Sequence, residues 1–215
     1  MALGVAVIVA LYDQNIDDIN AQRNITFSAP DGVQLQGTFY RNSDKIIVLI
    51  HQYGGDRHQW DSFVPILVAN NYSVLAYDIR GFGQSGGAPE KDKMIRDVAG
   101  AVMWIKNNTS PSFIGLIGAS VGANIAFESS SFGEINTSTA LSPANKLLGN
   151  ELSNFRPHNV LFLSDINERE AAQSLHAITI PPKDIKIYGG TAHGVELLNN
   201  PQTILDILAW LDKDK

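Results

Sequence analysis

The 215-residue sequence contains no cysteine. That absence excludes a disulfide framework, a thiol nucleophile and any thiolate-bound zinc or iron–sulfur centre, and it leaves the redox compartment open. Basic runs are missing as well. Sixteen Lys and Arg against 22 Asp and Glu give a net charge of −6, so no phosphate-neutralising patch is on offer and nucleic acid is not expected as a partner. No apolar run reaches the ~20 residues that cross a bilayer as a helix, so no transmembrane span is expected. Neither H-E-x-x-H nor G-x-x-x-x-G-K-[ST] occurs, and no metal or organic cofactor is expected. One formal G-x-G-x-x-G, Gly81 to Gly86, does follow a strand pattern. Its Asp-x-Arg lead-in and the nearby Pro89 favour a loop over the start of a dinucleotide-gripping helix.

Residues 1–12 (MALGVAVIVALY) are almost wholly apolar, and a polar connector follows. Two readings compete. One is the remnant of a signal or anchor, which would place the protein outside the cytoplasm; it lacks a leading basic segment and a clear small-x-small cleavage site. The other is a buried terminal strand or helix, compatible with a cytoplasmic protein. No linker divides the rest, so the organisation expected is an N-terminal segment over 1–23 and one domain over 24–215.

Within that domain, NITFSAPDGVQLQGTFYR alternates around Asp31-Gly32 and predicts an antiparallel strand pair. Apolar strand runs then alternate with helical spacings. KIIVLI precedes Trp60, Phe63, Val64 and Leu67; SVLAYDI precedes Ile95, Val98, Ala99 and Val102; FIGLIG precedes VGANIAFESS. INTSTALS, NVLFLS, the EREAAQSLHAI helix, DIKIYG and a helix with Ile204, Ile207, Leu208 and Leu211 on one face complete the series. Continuous β-branched runs separated by amphipathic helices mark strands buried on both faces. The class is α/β, with a mostly parallel central sheet, helices on both faces and an N-terminal antiparallel pair.

Ligands gather at the carboxyl ends of such strands, so the residues just after each run carry the information. Gly118-Ala119-Ser120-Val121-Gly122 stands between a strand and a helix. A serine on that sharp turn needs small neighbours, because the backbone is strained and crowded, and this is the G-x-S-x-G nucleophile pattern. A serine hydroxyl needs a base to take its proton. Of the five histidines, His51 and His58 precede Ser120, His158 begins a strand and His176 lies within a helix; His193 alone follows a late strand in a loop. A carboxylate after NVLFLS would orient the imidazole, and Asp165 and Glu168 both qualify. After KIIVLI, His51-Gln52-Tyr53-Gly54-Gly55 offers backbone donors for a developing oxyanion, Tyr53 N–H together with Val121 N–H.

Taken together these residues resemble the α/β-hydrolase superfamily over roughly residues 24 to 213. HQYGGDRHQW is similar to its oxyanion loop, with Gln52 where glycine is usual; DIRGFGQSGG is similar to its D-x-R-G-x-G-x-S segment; GASVG is similar to its nucleophile turn. The resemblance implies the α/β-hydrolase fold, Ser120 as nucleophile, His193 as base, and Tyr53 and Val121 as oxyanion donors. It places the family's acid on Glu168, with Asp165 as the alternative, and gives Asp78, Arg80 and Gly81 structural roles.

A serine at that turn implies acyl transfer and argues against the dehalogenases of the family, which use aspartate there. Only about fifteen residues, ANKLLGNELSNFRPH, separate ALSP from NVLFL, where relatives insert a cap. The site is therefore expected to be open, and the activity expected is hydrolysis of short, water-soluble carboxylic esters. The same triad could instead serve a peptidase, thioesterase, lactonase or carbon–carbon hydrolase, and a hydrolase-like binding protein is the reading outside catalysis.

Overall fold

A computed structural model describes residues 22–149 and 155–214. The apolar stretch at 1–12, with its two readings, lies outside the described residues. Among these residues eight strands form one sheet: β1 (Gln22–Ser28), β2 (Gln34–Tyr40), β3 (Lys45–Ile50), β4 (Ser73–Tyr77), β5 (Phe113–Ala119), β6 (Thr137–Leu141), β7 (His158–Asp165) and β8 (Ile180–Tyr188), in the order β1-β2-β4-β3-β5-β6-β7-β8. β2 pairs antiparallel with both β1 and β4, and the remaining pairs are parallel. The pair expected around Asp31-Gly32 is the β1–β2 hairpin. Its turn is closed by Gly32 N–H donating to the Ala29 carbonyl at 2.9 Å, with Gly32 at φ +85°, a region that favours glycine.

Among the described residues five helices cover the sheet: α1 (Val64–Ala69), α2 (Ile95–Asn108), α3 (Val121–Ser129), α4 (Arg169–Ile178) and α5 (Pro201–Leu211). Side chains alternate along each strand, so β3 divides between the two faces. Ile46, Val48 and Ile50 pack with Val98 and Ala101 of α2 and Ile125 of α3. Ile47 and Leu49 pack with Leu67 of α1 and Ile207 and Trp210 of α5. Phe162 of β7 joins Phe127 of α3 to Ala172 and Leu175 of α4. Double coverage is why these strands read as unbroken apolar runs; burying each such side chain contributes about 1.5–3 kcal/mol.

Two helical expectations are corrected. The Trp60–Leu67 stretch is not one helix: a 3-10 turn at Arg57–Trp60 ends before α1, which starts at Val64 with Pro65 in its first turn, where a missing N–H costs least. All four apolar residues are nonetheless buried. In α2 the buried stripe is Val98, Ala101, Val102 and Ile105, whereas Ile95 and Ala99 are half-buried. Asp97 turns inward to pair with buried Arg80, and Gly100 lies so close to Ser28 that a Cβ would stand 2.6 Å from its carbonyl oxygen. A buried charge pair and a close backbone approach thus rotate the helix relative to its hydrophobic pattern.

Among the described residues no helix is long and apolar enough to cross a membrane. In the connection from β6 to β7, the described residues form no helix and no strand before His158.

Candidate active site

Ser120 sits between β5 and α3 at φ 54° and ψ −115°, a region that L-residues rarely adopt. Holding a non-glycine residue there costs of order 1–3 kcal/mol, which the packing around it must offset. The flanking glycines explain how that is possible. A Cβ on Gly118 would lie 2.0 Å from the Gly122 carbonyl oxygen, and one on Gly122 would lie 2.2 Å from that of Ile50. The turn is thus compressed against itself and against the end of β3, and it projects Ser120 at the start of α3. Ser120's carbonyl accepts from the N–H groups of Ala123 and Asn124, and the Val121 N–H, first in the helix, has no intrahelical partner.

His193 follows β8 and Glu168 follows β7. Their side chains meet, with His193 Nδ1 2.7 Å from Glu168 Oε1. With Nδ1–H donating to that carboxylate, the neutral ring presents Nε2 as an acceptor. Asp165, the other acid, is bonded differently. Its Oδ1 accepts from the backbone N–H of Asn167 at 2.9 Å and from Asn167 Nδ2 at 2.8 Å, and the same Nδ2 donates to the Gly190 carbonyl at 2.9 Å. Asp165 and Asn167 therefore tie the loop bearing Glu168 to the loop bearing His193. Asn167 escaped the sequence reading because an isolated loop asparagine carries no signal of its own.

The other four histidines are elsewhere occupied. His51 is fully buried, its Nδ1–H donating to the Gln52 carbonyl at 2.8 Å and its Nε2 accepting from the Ile79 N–H at 2.9 Å, and burial lowers its pKa. His58 pairs with Asp61, His158 Nδ1 lies 3.1 Å from the Arg156 carbonyl oxygen, and His176 stands edge-on to Phe162.

The loop over residues 51–55 packs onto the serine turn, since a Cβ on Gly122 would also stand 2.6 Å from the His51 carbonyl oxygen. Gln52 N–H donates to Gln59 Oε1 at 3.2 Å, and Gly55 N–H to the Gln52 carbonyl at 3.1 Å. Gln52 turns its side chain towards Gly194. A Cβ at that position would meet Gln52 Oε1 at 2.3 Å, and Gly194 adopts φ +59°. The larger residue on one loop is thus accommodated by a glycine beside His193 on the other. Tyr53 is half exposed and stacks edge-on against Phe82 at 4.9 Å.

Asp78 and Arg80 are buried in ion pairs. Asp78 binds the Arg57 guanidinium and the backbone N–H groups of Arg57 and Gln84, and Arg80 bridges Asp31 and Asp97.

Ser120, Glu168 and His193 line one cleft of about 390 Å3, together with Pro143, Ala144 and Asn145 from the loop after β6 and Asn167, Glu170 and Ala171 from the segment after β7. Larger surface hollows of about 540, 550 and 620 Å3 lie elsewhere, and none of them is lined by both a serine and a histidine. Among the described residues no group of three or more His, Asp or Glu is placed to hold a metal ion.

Residues 41–144 match the family model described as serine aminopeptidase, S33. The uncharacterised protein YfhR of Salmonella typhi is 30% identical over 110 residues, covering 47% of this chain and 38% of that protein. The match thus spans less than two fifths of the length of that curated relative. Among solved structures, the esterase Pf2001 of Pyrococcus furiosus superimposes with a TM-score of 0.79 at 22% identity, covering 92% of this chain and 94% of that one. A serine hydrolase without lid from Xanthomonas campestris gives 0.70 at 16% identity, covering 87% and 91%. At these identities the likeness establishes a shared fold.

Proposed function

We propose that this chain is a member of the α/β-hydrolase superfamily, supported by the family match and the shared fold, and a serine hydrolase cleaving short carboxylic esters through an acyl-enzyme. The observation that carries the reading is the convergence of Ser120, His193 and Glu168 on one cleft, with His193 Nδ1 already engaged by the carboxylate. In this scheme Ser120 Oγ attacks the acyl carbon and its proton passes to His193 Nε2. The imidazolium, stabilised by Glu168, returns that proton to the departing alkoxide, which leaves as the alcohol. Water then attacks the acyl-enzyme, giving its proton to Nε2; Ser120 recovers a proton from the ring and the carboxylic acid leaves. The N–H groups of Tyr53 and Val121 receive the oxyanion in both halves, each such donor being worth about 2.7–4 kcal/mol. The positive end of α3 favours the same charge.

The cleft lies near the lower end of the ~300–1,000 Å3 typical of small-molecule sites, which supports a short substrate. A second reading, amide hydrolysis at a peptide amino terminus, draws on the description of the matched family and on Glu170, whose position at the cleft offers a carboxylate for an ammonium group. Turnover of p-nitrophenyl esters from acetate to palmitate, with wild type and Ser120→Ala side by side, tests the proposal. The expected result is turnover confined to short chains and reduced on the order of 10⁶-fold in the variant. Turnover of aminoacyl p-nitroanilides alone would favour the second reading, and no Ser120-dependent turnover on either series would overturn both.

A further inference from the structure

α3 carries more than Ser120. Every residue of this helix is buried, yet two of its side chains are strongly polar, Asn124 and Glu128, which are 1% and 0% exposed. Being four residues apart they share one helix face. Buried polar groups of this kind are retained only with partners, and here every partner belongs to the same loop. Asn124 Oδ1 accepts from the Ala144 N–H at 2.9 Å, and its Nδ2 donates to the carbonyls of Ala144 and Lys146, both at 2.7 Å. Glu128 receives two further backbone donors, the N–H groups of Leu148 and Gly149. One carboxamide and one carboxylate thus hold five backbone groups of residues 144–149.

That loop leads out of β6 and forms one bank of the cleft through Pro143, Ala144 and Asn145. It is short of side-chain anchoring of its own, for residues 144–147 are exposed. The bank is held from beneath, by the helix whose first turn presents Ser120. We propose that Asn124 and Glu128 are specificity-determining residues: by fixing the 144–149 loop at a set distance from the nucleophile, they limit the length of substrate chain that the cleft accepts. The proposal rests on the serine hydrolase reading of the same site. A wall held by five backbone bonds cannot retreat to admit extra methylenes, and one methylene in a confined pocket is worth roughly 10–200-fold in discrimination. A purely structural role would scale all substrates alike, whereas this role changes their ratio.

The test compares kcat/KM on two ester series, one varying the acyl chain from two to ten carbons and one varying the alcohol, for wild type, Asn124→Ala, Glu128→Ala and Asn145→Trp, with Ser120 reactivity followed by a fluorophosphonate probe. In at least one series the long-to-short ratio should rise about tenfold or more in Asn124→Ala and Glu128→Ala. Asn145→Trp, an exposed change on the cleft bank that places little demand on folding, should lower the ratio. Probe labelling of Ser120 with an unchanged ratio in all folded variants would overturn the proposal while leaving the hydrolase reading in place. A wild type that neither labels nor turns over any ester would overturn both.

Discussion

Glu168 Oε1 and His193 Nδ1 lie 2.7 Å apart although 25 residues separate them in the chain. The contact follows from β7 and β8 being parallel neighbours, with Asp165 opposite Tyr188 at their carboxyl ends. The loops leaving those ends run side by side, and Asn167 binds one to the other through Asp165 and Gly190. The two acids thus have different partners, Glu168 bonding His193 and Asp165 bonding Asn167.

Glu168→Gln should lower kcat on the order of 10⁴-fold, the loss typical of an imidazole held in the wrong tautomer. Asp165→Asn preserves the shape of the side chain and one oxygen for Asn167, and should cost far less. Steady-state kinetics on a short ester decides between them; the opposite ranking would transfer the role of acid to Asp165.

Gly122→Ala should be severe. Its Cβ would stand 2.2 Å from the Ile50 carbonyl oxygen, so the serine turn must move away from β3, at about 1–3 kcal/mol or more for an overpacked contact. Gly133→Ala is the control, because nothing lies within 4 Å of the added carbon, and it should fall within roughly 0.5 kcal/mol of wild type. Equal urea midpoints for the two variants would refute the crowding argument.

His51 supplies a pH dependence whose sign is fixed by its lowered pKa. Burial holds the folded-state value below its ordinary 6.5, so the native protein binds fewer protons than the unfolded chain at mildly acid pH. The stabilising contribution is complete above about 6.5 and declines as pH falls through the folded-state value. His51→Phe leaves the Ile79 N–H and the Gln52 carbonyl without their ring partners and should cost about 1–3 kcal/mol at pH 8. The deficit should shrink towards pH 5 in denaturant titrations; a gap that stays constant would contradict a neutral, buried ring.

Glu128 has the opposite sign. Burial raises its pKa above the ordinary 4.5, against the lowering effect of the Leu148 and Gly149 N–H groups. The native state therefore holds the proton more tightly than the unfolded chain, and wild-type stability falls as pH rises through that interval. Glu128→Gln removes the titration. The stability of the variant relative to wild type should improve from pH 4 to pH 7, and a flat difference across that range would show that the carboxyl group does not titrate in this way.

Much of this was written in local residue patterns. Unbroken apolar runs such as KIIVLI announced doubly covered strands, and GASVG announced a compressed turn, because only small residues on either side of Ser120 fit against Gly122 and the end of β3. The order of Ser120, an acid and His193 was readable too, since each follows a strand whose hydrophobic period marks where it ends. Asn124 and Glu128 carried a usable signal, two strongly polar residues in a mostly apolar helix, but the sequence does not say which loop they hold. The contact between Glu168 and His193, the rotation of α2 by the Asp97–Arg80 pair and the seating of Gln52 against Gly194 were decided by tertiary structure alone. Each depends on a contact between segments far apart in the chain, and the distance between two loops is set by strand register and packing rather than by either loop's own residues.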